Sequence, residues 1–127
     1  MYIMKKLSLL MILSMLIFLI ATTGCKKQVF SGSCAGNEKQ FLMDYSILNC
    51  TKTHDMKLEK GTIINVVIEN NSGNLDIFVS DSNGEKIYKG DNATSGNFSL
   101  EVPNTDTYKF SVKGSNAKGS ISFKVAD

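Results

Sequence analysis

Two kinds of hydrophobic pattern divide the chain. From Leu7 to Ala21 apolar or small residues run unbroken, whereas beyond Lys39 apolar and polar residues alternate in short segments. Period two is what a half-buried antiparallel strand requires, because successive side chains point to opposite sides of the sheet. Phe41, Met43, Tyr45 and Ile47 alternate, Met56 and Leu58 form a shorter pair, and Leu75, Ile77 and Val79 are interleaved with Asp76 and Phe78. The clearest runs come last: Phe98, Leu100, Val102; then Tyr108, Phe110, Val112; then Ile121, Phe123, Val125. Thr62 to Glu69 reads differently. Ile63, Ile64, Val66, Val67 and Ile68 put apolar groups on both faces, which predicts a central strand.

Turn-forming residues stand between these runs. Asp81-Ser82-Asn83-Gly84 separates two strand patterns, and Asn-Gly adopts the positive φ angles of a tight hairpin. Asn71-Ser72-Gly73-Asn74, Pro103-Asn104-Thr105-Asp106 and Gly114-Ser115-Asn116 are similar breakers. No segment after Cys25 has a helical period. Seven or eight short strands, each with one buried face, predict an all-β antiparallel β-sandwich of jelly-roll type over residues 40–127, with an open barrel as the alternative.

The unbroken run has another meaning. Lys5 and Lys6 precede an apolar stretch of 15 residues, and Ala21-Thr22-Thr23-Gly24-Cys25 follows it. A charged start, a short apolar region and a small-residue cleavage site make a secretory signal, and the run is short for a permanent membrane helix. The segment 21–25 resembles a bacterial lipobox, with Gly24 directly before Cys25; Thr22 stands where that family usually has Leu. The resemblance implies cleavage between Gly24 and Cys25 and a thioether-linked diacylglycerol on Cys25, completed by further acylation. Two or three acyl chains anchor stably, since each buried CH₂ contributes about 0.8 kcal/mol. Residues 1–24 are thus read as signal peptide and 25–39, rich in Ser, Gly and Lys, as a flexible tether lifting the domain off the membrane. Lys26 and Lys27 would lie at the headgroups.

Composition narrows the partners. The formal charge is +2, but Lys5 and Lys6 belong to the leader; without them 12 Lys balance the 12 acids, and there is no Arg. Nucleic-acid binding needs a basic footprint, and none is visible.

From Gly61 to Val125 the chain resembles the pre-peptidase C-terminal domain, a small jelly-roll sandwich of secreted bacterial proteins. Gly61-Thr62-Ile63-Ile64-Asn65-Val66 is similar to its glycine-then-strand opening, residues 74–84 to its strand with a polar hairpin end, and Phe98 to Val112 to its strand, turn and aromatic strand. The resemblance implies an extracytoplasmic sandwich. Several members bind polysaccharide or protein fibres, some with calcium, but their contact residues have no one-to-one match here.

Candidate chemistry is sparse. With Cys25 assigned to lipid, Cys34 and Cys50 remain, and an oxidising compartment predicts a disulfide between them. His54, the only histidine, lies in Thr51-Lys52-Thr53-His54-Asp55, which reads as a solvated loop; no nucleophile motif such as Gly-x-Ser-x-Gly accompanies it. Two Cys and one His are too few for structural zinc. Asp81, Asn83, Glu85 and Asp91 offer oxygens of the kind calcium takes, yet Gly84 is misplaced for an EF-hand loop and the downstream Glu is missing, so a solvated turn is expected and no metal or cofactor. Outward positions Ser99, Lys109, Ser111, Lys113, Ser120, Ser122 and Lys124 would form one lysine-bearing, small-residue face, suited to a polar polymer such as cell-wall glycan. Phe78 and Tyr88 are candidates for stacking on sugar, whereas Tyr45 belongs to the core.

The expectation is a lipid-anchored, non-enzymatic module at the extracytoplasmic face of the cell membrane, binding an envelope glycan or protein or serving a structural role. The alternative is a small inhibitor or protective accessory lipoprotein acting on an exported enzyme.

Overall fold

The computed structural model describes residues 28–127. The expected signal peptide, its expected cleavage site and Cys25 lie outside the described residues. The fold is an all-antiparallel β-sandwich of seven strands: β1 (Val29–Gly36), β2 (Gln40–Asn49), β3 (Thr51–Leu58), β4 (Ile63–Ser80), β5 (Lys86–Gly90), β6 (Gly96–Glu101) and β7 (Asp106–Val125).

The two layers are one sheet folded over a crease. The first half of β4 pairs with β6 and with the second half of β7; its second half pairs with β5 and with the first half of β7. β2 pairs with the later half of β7, and β3 with the earlier half. One layer is therefore β1, β2, late β7, early β4 and β6. The other is β3, early β7, late β4 and β5. Cys50 alone separates β2 from β3, so this stretch too runs down one layer and up the other.

Folding a sheet in half keeps its apolar side inward only if each strand accommodates the bend. In β4 the buried positions are Ile64, Val66 and Ile68 before the crease and Leu75, Ile77 and Val79 after it, so the parity changes. β7 changes likewise, from Tyr108, Phe110 and Val112 to Ala117, Ile121 and Phe123. Register shifts at Asn70/Ser72, Ser72/Asn74 and Tyr45/Leu48 mark where residues are inserted. Such bulges bend a strand and re-aim its side chains. Gly73 and Asn116 take φ of 74° and 50° there. The segments 71–74 and 114–116, expected as breakers between strands, are thus bends inside β4 and β7: their turn residues supply the positive φ without ending the ladder. Gly119 has φ 150°, and a Cβ on it would overlap the carbonyl oxygen of Glu69. The strands meet too closely there for any side chain.

The core lies between the halves. Phe110 meets Phe123 edge-on at 5.1 Å, Phe123 stacks with Phe41 at 6.1 Å, and Tyr88 of β5 meets Phe98 of β6 at 5.0 Å. Opposite the crease, the connections 59–62 and 102–105 cross the mouth of the fold. They hold each other through Gly61 N–H to Val102 O (2.8 Å) and Val102 N–H to Thr62 O (2.9 Å), with Val102 buried beneath. Tyr108 fixes the second connection: its hydroxyl donates to Asn104 O at 2.5 Å.

Three sequence expectations need correction. Residues 29–36 are not tether but an edge strand paired with β2 from Val29↔Asn49 to Gly36↔Phe41, so the folded domain begins near residue 29, not 40. Residues 51–55 are not loop but the first half of β3. β4 is central, as expected, yet only one of its faces is covered: Ile63 and Val67 remain 37% and 50% exposed.

Candidate functional site

His54 sits on the inward row of β3, half-buried, its ring 5.3 Å from that of Phe41. Nε2 donates to the Asn37 carbonyl at 2.7 Å, tying β3 to the β1–β2 turn. A shallow cleft of about 520 Å³ beside it is lined by Asn37, Glu38, Asp55, Met56 and Lys57. None of these lining residues is a hydroxyl or thiol nucleophile. The arrangement clasps an edge strand.

Cys34 and Cys50 are free thiols, so the expected bridge is not formed. The register gives the reason. Cys50 follows Asn49, the partner of Val29, while Cys34 lies five residues further along β1, opposite Met43. At about 3.3 Å per residue they are well over 10 Å apart, beyond the Cα separation of about 4.4–6.8 Å that a disulfide tolerates. Burial pushes the Cys34 thiol up from its ordinary value, partly opposed by Lys52.

The acidic candidates near the β4–β5 hairpin do not converge. One carboxylate oxygen of Asp81 accepts from the backbone of Asn83 and Glu85, both at 2.9 Å, closing the hairpin. Asp91 lies beyond the other end of β5 and pairs with Lys89 at 3.6 Å. Beside the hairpin, Ser82 donates to Asp106 through its hydroxyl (2.8 Å) and its backbone (3.1 Å), and these bonds with that from Thr107 N–H hold the Asp106 carboxyl below its usual range.

The seven outward Ser and Lys positions divide between two opposite faces. Lys109, Ser111 and Lys113 lie on the β3 side, flanked by Asp55, Thr53 and Thr51 of β3 and by Ser80, Phe78 and Asp76 of β4. Charges alternate there, and Lys86 covers the Phe78 ring, its Nζ 4.3 Å from the centroid. The opposite face carries Ser99, Ser120, Ser122 and Lys124 but centres on Val67, between Ser122 and Asn97. Half-buried Leu42 flanks Ser122, and Ile63 stands opposite Glu101. Ser99 and Asn65 bond to each other at 2.9 Å. This flat aliphatic strip in a small-residue surround is the surface that sequence reasoning missed. Its signal was present: five of the six residues from Ile63 to Ile68 are apolar, where the neighbouring strands alternate cleanly.

Among the described residues the candidate aromatics form no open platform for sugar. Tyr88 turns inward onto Phe98, Phe78 lies under Lys86, and Tyr45 is core, 2% exposed, with no partner for its hydroxyl.

Fold and faces together define a small, folded-sheet β-sandwich with one aliphatic and one charged outer face. The sequence profile of the bacterial pre-peptidase C-terminal domain matches residues 51–114, from β3 into β7, and the chain belongs to that family. No curated protein matches it. Among solved structures it is similar to PliG, a periplasmic inhibitor of g-type lysozyme from Aeromonas hydrophila, with 16% identity over 80% of this chain and 90% of that one (TM-score 0.46). It is also similar to a chain in the structure of accessory secretory proteins 1, 2 and 3 of Streptococcus pneumoniae (15% identity, 83% and 91% covered, TM-score 0.44). A cupin domain from Bordetella pertussis shares 7% identity over 82% of this chain and all of its own length (TM-score 0.40).

Proposed function

We propose that the chain is an exported lipoprotein, held by acyl chains on Cys25 at the extracytoplasmic face of the cell membrane, whose domain is a non-catalytic binding module for another envelope protein. The observation that carries the binding role is the exposed strip of Val67 and Ile63 on the early-β4 face. A β-branched pair in a central strand loses little by being polar outside, so leaving it apolar favours a contact there. A protein partner fits better than a glycan, because aliphatic groups offer dispersion contact but not the ring faces on which sugars stack.

The membrane anchor rests on the charged start, apolar run and Gly24-Cys25 of the leader. The non-catalytic reading is supported by the cleft beside His54, whose lining holds no hydroxyl or thiol nucleophile.

The test is photocross-linking in intact cells from a reactive residue at Val67, compared with one at Thr53 on the opposite face. The proposal expects a discrete protein adduct from position 67 only, lost when Ile63→Asp is added. Adducts of equal yield from both faces, or from position 53 alone, would refute the assignment of the face. Retention of the Val67→Asp protein on purified cell wall at wild-type level would be expected; its loss would favour glycan.

A further inference from the structure

We infer that the outer edge of β1 pairs antiparallel with β1 of a second copy, joining two sandwiches through one continuous sheet.

The first ground is an edge left unprotected. β1 ends its sheet and pairs with β2 alone. Exposed edges carry unpaired N–H and C=O groups, and folded proteins blunt them with charge, proline, bulges or shortness. The other edges here follow that rule. β3 carries Lys52, Asp55 and Lys57, β5 has Lys86 and Lys89 in five residues, and β6 is six residues long and closes on Glu101. β1 has eight residues with neither charge nor proline, and Ser31 to Gly36 are all exposed. Its register shift places the extra residue, Ser46, in β2 and leaves β1 continuous.

The second ground is which groups that edge presents. Asn37 N–H donates to Gln40 O at 3.0 Å, and bonded and non-bonded pairs alternate along an antiparallel ladder. Ala35–Leu42 and Ser33–Asp44 are therefore bonded pairs, and Gly32, Cys34 and Gly36 turn their N–H and C=O away from β2. No other described residue meets those groups. Their side chains are a hydrogen, a thiol and a hydrogen, so a second strand approaches without obstruction.

Charge selects the occupant. With a two-fold axis between the Cys34 residues, Cys34 meets Cys34 and Gly32 meets Gly36 of the second copy, each pair exchanging both backbone bonds. The same register sets Glu38 of the second copy opposite Phe30, and Lys52 stands 4.6 Å over the Phe30 ring. Within one copy neither Lys52 nor Glu38 has an ion-pair partner among the described residues. An isologous contact uses both free edges at once, so the pairing closes at a dimer. It leaves both Val67 faces exposed, on the same side of the joined sheet.

The experiment uses the full chain carrying Cys50→Ser and a bifunctional methanethiosulfonate short enough to span the ~5.5 Å between Cα atoms of a bonded pair. A dimer-sized product linking Cys34 to Cys34 is expected in intact cells. Ser33→Lys with Ala35→Lys sets like charges across the axis and should lower its yield roughly tenfold, with circular dichroism unchanged. In sedimentation equilibrium, Lys52→Glu alone and Glu38→Lys alone should each weaken the dimer by up to about fivefold, and the two together should restore it. Amide exchange of the unmodified chain gives a second reading. Gly32, Cys34 and Gly36 should slow as the protein is concentrated, while Ser33 and Ala35, bonded to β2, stay constant. No such product, an equal yield with the two lysines in place, or exchange independent of concentration would overturn the inference. A product joining Cys34 to a different protein would assign the edge to another occupant and refute self-pairing.

Discussion

The crease and the mouth solve opposite problems. At the crease the ladder continues while the sheet turns over, so the chain uses bulges, a glycine with no room for a Cβ, and residues at positive φ. At the mouth the ladder stops, and two crossing connections must cover the open core through their own hydrogen bonds. The crease is intolerant because backbone meets backbone; at the mouth, backbone bonds between the connections are supplemented by a few side-chain bonds that can be removed singly. The difference explains why polar turn residues occur at both ends yet perform different work.

Substitutions should separate the two ends by size of effect. Phe123→Ala, which empties the centre of the folded sheet, should cost about 3–5 kcal/mol in denaturant unfolding. Gly119→Ala adds a single methyl but drives it into the Glu69 carbonyl at φ 150°, and should cost about 3 kcal/mol. At the mouth, Tyr108→Phe should cost only about 1–2 kcal/mol, through loss of its bonds to Asn104.

The buried tyrosines sharpen the contrast. Tyr45, beside the crease, has a buried hydroxyl with no partner, so Tyr45→Phe should be neutral or stabilising by up to about 1 kcal/mol. Burial, with Asp44 adding to it, pushes the Tyr45 hydroxyl up from 10.0 to about 12. The folded state then keeps its proton where the unfolded chain has begun to lose one. The Tyr45 contribution is full below about pH 10 and fades as pH rises towards 12, so Tyr45→Phe should flatten the alkaline limb of a stability–pH curve.

The smallest effects belong to the surface. Asp106 titrates below its ordinary 3.8, so its bonds to Ser82 support the hairpin above that pH and are lost as pH falls through the folded value. Asp106→Asn should abolish that acid response of the Ser82 amide, followed by NMR. Val67→Thr keeps a β-branched side chain in β4 and should leave stability within about 0.5 kcal/mol while weakening cross-linking from Ile63.

Much of this was legible in the sequence. Alternation at Phe41–Tyr45, Phe98–Val102, Tyr108–Val112 and Ile121–Val125 marks inward positions correctly, and Asp81–Gly84 marks the hairpin. What escaped was everything that depends on a neighbour. β1 exposes six of its eight residues and is a strand only because β2 lies beside it. His54 reads as polar loop until Asn37 supplies its partner. Gly73 and Asn116 look like strand ends, because a local pattern does not distinguish a bend that continues from a turn that reverses. Val67 looks buried, since propensity alone does not report which face is covered. The family resemblance reached the sandwich, and the profile match over residues 51–114 bears it out.

The fold in half is most directly tested by nuclear Overhauser contacts between the rings of Phe110 and Phe123, which stand on one strand 13 residues apart. A sheet turned over at residues 114–119 places them at 5.1 Å and yields strong cross-peaks, together with contacts from Phe123 to Phe41. An unbent β7 would hold the two rings about 40 Å apart. Absence of those cross-peaks in the folded protein would contradict the crease, and with it the two faces drawn from it.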